Sequence, residues 1–294
     1  MASPKGIQSS GTHVRRPAAR GFYPGDCQAQ LLSFLADSHP PDDLPQPLRG
    51  AALPHAGWMY SGRVAAHTLD CFQKSPPPET VVFFGTPHYR AGLDHALYPE
   101  GEWETPLGNL PVDNTGGEAV LAAAGNLLRS DPQAHEYEHS IEVLTPMVKY
   151  LFPQAAIVPI LVQPEASAVH LGVLTARAIT RLPRRAIFLG SSDLTHYGPQ
   201  FGLTPAGSGP RAQAWMEDND RHLIDILCHG TGEEVLREAL NHHNACGSGA
   251  LAALKGAMKE LNAAQGRLVL YATSYAVEPE PVFRQAVGYA GVVF

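Results

Sequence analysis

Three histidines in this chain follow short apolar runs and sit in turns rather than inside elements. Pro54-His55-Ala56-Gly57 follows the run Gly50 to Leu53, and Gly85-Thr86-Pro87-His88 follows Thr80 to Phe84. The third stretch, Arg185 to Gly198, runs through Ala186-Ile187-Phe188-Leu189 into Gly190-Ser191-Ser192-Asp193 and then His196. Neutral imidazole is the commonest protein ligand for a transition metal. Two histidines at matching strand ends therefore point to a shared metal site, with a hydrogen-bonded structural role as the plainer alternative. Asp193 and His196 form a different kind of pair, because a carboxylate can orient and tune an acid–base imidazole. Cys246 lies between a histidine-rich turn and a helix start. It reads either as a small hydrophobe beneath the helix or as a thiolate able to bind metal or act as nucleophile. His139, with Glu138 and Glu142 nearby, reads either as part of a charged helix start or as a residue at the mouth of a cleft. Ser191 and Ser192 are candidate hydrolase nucleophiles, but the Gly-x-Ser-x-Gly elbow is missing.

These residues need elements to position them. Small polar residues end a strand and let the backbone turn, and in open α/β sheets ligands bind beyond the carboxyl ends of the strands. Strands are expected at Gly50 to Leu53, Thr80 to Phe84, Ala156 to Val162 and Arg185 to Leu189, with closing strands at Arg267 to Ala276 and Gln285 to Val293. His95 to Tyr98 reads as an edge strand, and Glu102 to Asp113 as a hairpin excursion with Pro and Gly at its corners. Helices are expected at Gln28 to Ala36, Arg63 to Phe72 with Ser61 as N-cap, Gly117 to Leu128, Glu165 to Leu182, Arg211 to Cys228, Gly232 to Leu240 and Ser248 to Asn262. A further helix is expected from the His139 segment to Phe152, kinked or cut short by Pro146. The aromatic pair Phe22-Tyr23 reads as a plug between the entering chain and the body. The alternation of strands and helices predicts an α/β fold, a mixed sheet flanked by helices, in a single domain over residues 14–294. Residues 1–13 read as a flexible tail.

Composition narrows the function. With 44% hydrophobic and 17% charged residues in 294, the chain can bury a large core. A net charge of -7 argues against a nucleic-acid partner. No apolar run reaches the ~18 residues that a membrane span needs. The four cysteines are too scattered for a disulfide framework or a paired zinc knuckle, which predicts a reducing, cytoplasmic setting.

Taken together, the motifs resemble the Memo family, known in bacteria as AmmeMemoRadiSam system protein B. They are Arg16-Pro17-Ala18 with Gly21-Phe22-Tyr23-Pro24, Pro54-His55-Ala56-Gly57 with Tyr60-Ser61-Gly62, Thr105-Pro106-Leu107-Gly108 with Val112-Asp113, Glu138-His139-Ser140-Ile141-Glu142-Val143, Ser191-Ser192-Asp193 with His196-Tyr197-Gly198, and Ala245-Cys246-Gly247. The match runs collinearly from about Arg15 to the C-terminus. It departs at Trp58 and Met59, at Tyr89, where the family often has a second His, and at Leu144-Thr145-Pro146. The resemblance implies a fold like that of class III extradiol dioxygenases, whose Fe(II) is held by two His and one carboxylate. It implies His55 and His88 as metal ligands and places Cys246 where the carboxylate would be. His196 then matches the acid–base histidine, oriented by Asp193, with His139 steadying a bound oxygen species. The resemblance implies an iron or copper ion as the cofactor; the thiolate, softer than carboxylate, suits Cu(I), Zn(II) or thiolate-bound iron. The implied partner is a small phenolic or catechol-like molecule. A non-catalytic metal- or peptide-binding module is the alternative.

Overall fold

The computed structural model describes residues 13–44, 46–89 and 95–294. Apart from His13, the expected tail lies outside them. In chain order the strands are β1 (Val14–Arg15), β2 (Gly50–Leu53), β3 (Thr80–Gly85), β4 (His95–Leu97), β5 (Glu102–Trp103), β6 (Leu110–Pro111), β7 (Leu128–Ser130), β8 (Ala156–Leu161), β9 (Ala186–Ser191), β10 (His196–Tyr197), β11 (Arg267–Thr273) and β12 (Ala286–Val293). The helices are α1 (Cys27–Leu35), α2 (Arg63–Asp70), α3 (Asn114–Ala124), α4 (Thr145–Leu151), α5 (Ser167–Thr180), α6 (Pro210–His229), α7 (Gly232–His242), α8 (Ser248–Glu260) and the single turn α9 (Ser274–Val277).

Among the described residues one nine-stranded mixed sheet runs β10-β12-β2-β9-β3-β8-β4-β7, with β11 also paired to β12. Its centre, β2-β9-β3-β8, is parallel. The central strands are apolar on both faces because helices cover both, and successive side chains alternate between two cores. Val82, Phe84, Val158, Ile160 and Phe188 enter the core that includes Leu171 of α5 and Leu251 of α8. Val81, Phe83, Ile157 and Leu189 enter the other, with Leu31 of α1, Leu69 of α2 and Met147 of α4.

The α/β fold with a mixed sheet between helices is therefore as the sequence implies, and several local expectations change. β4 is not the edge strand, because β7 pairs outside it. Ser61 does not cap α2. A five-residue wide turn, Trp58–Gly62, precedes that helix, and the Ser61 hydroxyl donates to Ala56 O at 3.0 Å. α3 begins at Asn114, because the Asp113 carboxylate accepts from Gly116 N and supplies the cap. The helix expected from His139 is instead a loop, a short 3₁₀ turn at Glu142–Leu144, and then α4. Pro146 lies in the first turn of α4, where its missing N–H costs nothing, so it starts this helix rather than kinking it.

The β5–β6 hairpin forms, and β1 joins it in a small three-stranded sheet. This brings the start of the chain to the loop that carries His139. Arg15 is buried there. Its guanidinium pairs with Glu142 at 2.8 Å and donates to His135 O and Glu138 O. Glu142 also accepts from Ala18 N, Ala19 N and the Tyr23 hydroxyl.

Candidate metal centre

The adjacent strands β2, β9 and β3 all end at one edge of the sheet, and their continuations carry the chemistry. His55 follows β2, Asp193 and His196 follow β9, and His88 follows β3. His139 comes from the loop before α4, and Cys246 from the turn before α8. His55, His88 and His139 each offer one ligand atom, and these three atoms lie within 4.8 Å of one another. The rings of His88 and His139 are stacked at 4.4 Å. Those of His55 and His88, and of His55 and His139, meet edge-on at 5.2 and 5.5 Å. Among the described residues this is the one group of His, Cys, Asp and Glu that meets that spacing. His139, expected at the cleft mouth, thus has its ligand atom beside those of the other two.

Hydrogen bonds decide which nitrogens are free. Ser191 Oγ gives its only proton to Ser140 O at 2.6 Å, so it accepts from His55 Nδ1–H at 2.7 Å. Glu138 accepts from His88 Nδ1–H at 2.9 Å. His55, which is neutral, therefore keeps a bare Nε2, and Nε2 is the nitrogen of His88 that Glu138 leaves unengaged. His139 Nδ1 is buried without any hydrogen-bond partner. Cys246 Sγ lies 3.3 Å from His55 Nε2. Three clustered imidazoles and a neighbouring sulfur form a donor set that fits a transition-metal ion.

Burial tunes these groups. His55 is pushed down to about 3 by burial and the neighbouring His88, and His139 to about 4 by burial and the other two histidines. Both are neutral near pH 7, as ligands must be. Burial and the charge of Asp193 raise the Cys246 thiol. Burial alone would raise the Glu138 carboxyl, but the bonds from His88 and Ser140 outweigh it and hold the group at about 2. That carboxylate accepts from His88 N, His88 Nδ1, His139 N and Ser140 N, which locks two of the three histidines to one buried anion. It is the outer-shell carboxylate that metal-binding histidines typically need.

Asp193 is buried, and burial raises its carboxyl. Its Oδ1 accepts from His55 N at 2.7 Å and Ala56 N at 3.2 Å, which fixes the turn that carries His55. Among the described residues no hydrogen bond joins it to His196. The half-buried His196 is lowered by burial and has its ring 5.1 Å from that of Phe201. A groove of about 460 Å³ contains both His196 and Cys246 in a lining that includes Leu203, Leu240 and Ala245. Ser192 Oγ donates to Asp193 O and accepts from Gly247 N, so it holds the Cys246 turn, and among the described residues no histidine or lysine bonds to it.

His55 and His88 are legible in the sequence because each follows an apolar run. Glu138 stands in the sequence as the acid before His139, but its bond to His88 is a tertiary one. Ser191, a candidate nucleophile by sequence, instead fixes the tautomer of His55, which only tertiary contact shows.

The family model described as "Memo-like protein" matches residues 15–293. A MEMO1 family protein of Methanococcoides burtonii is 34% identical over 285 residues, covering 95% of this chain and 99% of that protein. One from Pyrococcus horikoshii is 33% identical over 292 residues, covering 95% and 98%. Among solved structures, an uncharacterized protein of Escherichia coli K12, JW3007, superposes with a TM-score of 0.56 at 12% identity. It covers 84% of this chain and 100% of its own, and it bears on the fold alone.

Proposed function

The chain belongs to the Memo family, and from that premise we propose that it is a metal-dependent oxidoreductase acting on a phenolic or catechol-like molecule, with iron or copper as the metal. The observation that carries this is the convergence of three imidazole ligand atoms, from His55, His88 and His139, with the Cys246 thiol beside His55. His55 and His88 would hold the metal, and Cys246, its sulfur 3.3 Å from His55 Nε2, would complete the set. His139, whose ligand atom lies beside those of His55 and His88, would offer a further donor there and steady an oxygen species. Bound there, iron or copper would supply Lewis acidity and electron transfer toward a phenolic oxygen and O2.

The chain's own residues do the rest. Glu138 and Ser191 hold the imidazoles in the tautomer that faces the centre. Asp193 anchors the His55 backbone. His196, kept neutral by burial, borders the groove and accepts the phenolic proton. The apolar side chains of Leu203 and Leu240, in the same lining, receive the ring.

The test is anaerobic loading with Fe(II) and with Cu(I), followed by metal analysis and turnover of a catechol panel in air. One ion per chain, lost in His55→Ala and His88→Ala, together with ring-cleavage absorbance, is the expected result. One ion without turnover of any phenol would reduce the protein to a metal-binding module. No bound ion would end the reading altogether.

A further inference from the structure

A second cleft, of about 510 Å³, lies between the Tyr60 turn and the region around α9 and β12, and nothing in the metal centre accounts for it. Four aromatic side chains line it, Tyr60, Phe201, Tyr275 and Tyr289, together with two carboxylates, Glu278 and Glu280. No Lys, Arg or His side chain is in its lining. Aromatic faces and carboxylates share one electrostatic preference. Each attracts a cation, and the rings also accept the apolar body that carries it.

The cleft is held together from within. The Tyr60 hydroxyl donates to Glu278 Oε2 at 3.0 Å, and among the described residues no donor reaches the other oxygen of that carboxylate. The Tyr275 hydroxyl donates to Glu280 O at 3.0 Å, which folds the segment after α9 back on itself. Pro279 and Pro281 flank Glu280 and restrict its backbone. Tyr289 is almost fully buried and forms a fixed inner wall.

The position matters as well. Val287, in the lining, pairs with His196 across the β10–β12 ladder. Phe201 lines both this cleft and the groove that reaches Cys246. A ligand seated here therefore lies one side chain away from His196.

We infer that this cleft is a binding site for an organic ammonium ion, a primary or quaternary amine on an apolar stem. Its volume lies within the range of small-molecule sites. The chain's net charge of -7 draws cations toward it. The inference does not depend on a bound metal, so its failure and that of the proposed function are separable.

The test is calorimetric titration of the metal-free protein at pH 7.5 and low salt with phenethylammonium, and with 2-phenylethanol as the neutral analogue. Saturable binding at one site per chain is expected for the amine, with the alcohol about tenfold weaker or worse. Glu278→Gln combined with Glu280→Gln should cost the amine about tenfold and leave the alcohol unchanged. Both glutamates are exposed, so this variant keeps the fold. Tyr275→Leu should bind the amine more weakly than Tyr275→Phe by about threefold, since the two differ in the ring and not in the lost hydroxyl. The inference is overturned by an absence of saturable heat up to 10 mM amine, by equal affinity for the alcohol, by full affinity in the double glutamine variant, or by equal affinity of the two Tyr275 variants.

Discussion

The pH dependence of metal uptake will show whether Cys246 is a ligand. His55 and His139, at about 3 and 4, carry no proton to lose between pH 6 and 8. The Cys246 thiol, raised by burial and by Asp193, is protonated throughout that range, and a coordinated thiol gives up its proton. If Cys246 ligates, each unit of pH therefore adds one factor of ten to the affinity, or about 1.4 kcal/mol. Between pH 6 and 8 that is roughly a hundredfold. Cys246→Ser removes one proton from the balance, so its slope of log affinity against pH should fall by one relative to wild type. Any contribution from His88 cancels in that difference. The assay is competition of Co(II) against a chelator of known protonation constants at pH 6, 7 and 8. Proton release, measured by calorimetry in two buffers of different ionisation enthalpy, provides the cross-check. Identical slopes for wild type and Cys246→Ser would refute the reasoning and leave His139 as the third ligand.

Glu138→Gln replaces an acceptor of four donors by a group whose amide must face either His88 N or the set formed by His88 Nδ1, His139 N and Ser140 N. Metal affinity should fall 10- to 100-fold by equilibrium dialysis, and a variant that binds as wild type would remove Glu138 from the centre. Gly247→Ala would drive a Cβ into Thr86 Oγ1 and place it 2.5 Å from Ser191 O. It should cost about 1–3 kcal/mol in urea unfolding and weaken metal binding at Cys246. Asp220 is raised by burial to about 6, so the native protein holds a proton that the unfolded chain has released above about pH 4. Its contribution to stability is fully present below that pH and is lost as pH rises through about 6, at most roughly 3 kcal/mol. Asp220→Asn should flatten this part of the stability–pH curve, and an unchanged curve from pH 4 to 7 would show that the carboxyl does not titrate there.

The parts of the fold that were legible are those that local pattern encodes. The runs ending at Leu53, Phe84 and Leu189 are apolar on both faces, which fits only strands covered on both sides, and a turn residue closes each. His55, His88 and His196 follow from those ends. The His139 segment was read as helix because Ile141, Leu144, Val148 and Leu151 repeat at helical spacing. Such spacing reports which residues are buried, and Ile141 and Leu144 are buried from a loop and a 3₁₀ turn. The place of β4 inside β7 depends on a pairing of strands far apart in sequence, for which no local signal exists. The same holds for Arg15 and Glu142, whose ion pair joins positions 127 residues apart. The Cys246 turn is held by Asp193 O and Ser192 Oγ, and neither bond can be foreseen from the residues around position 246.

The brace between Arg15 and Glu142 also sets an order in time. Residues 15–23 are made before their partners Glu142, Glu138 and His135, which follow more than a hundred residues later. The His139 loop has little regular structure of its own, and the early segment holds it in place, with Phe22 laid against the His139 ring at 4.6 Å. The His139 side of the centre therefore depends on a reunion of residues 15–23 with the middle of the chain. Removal of residues 15–23 would take away these contacts to the His139 loop and leave every ligand candidate in the chain.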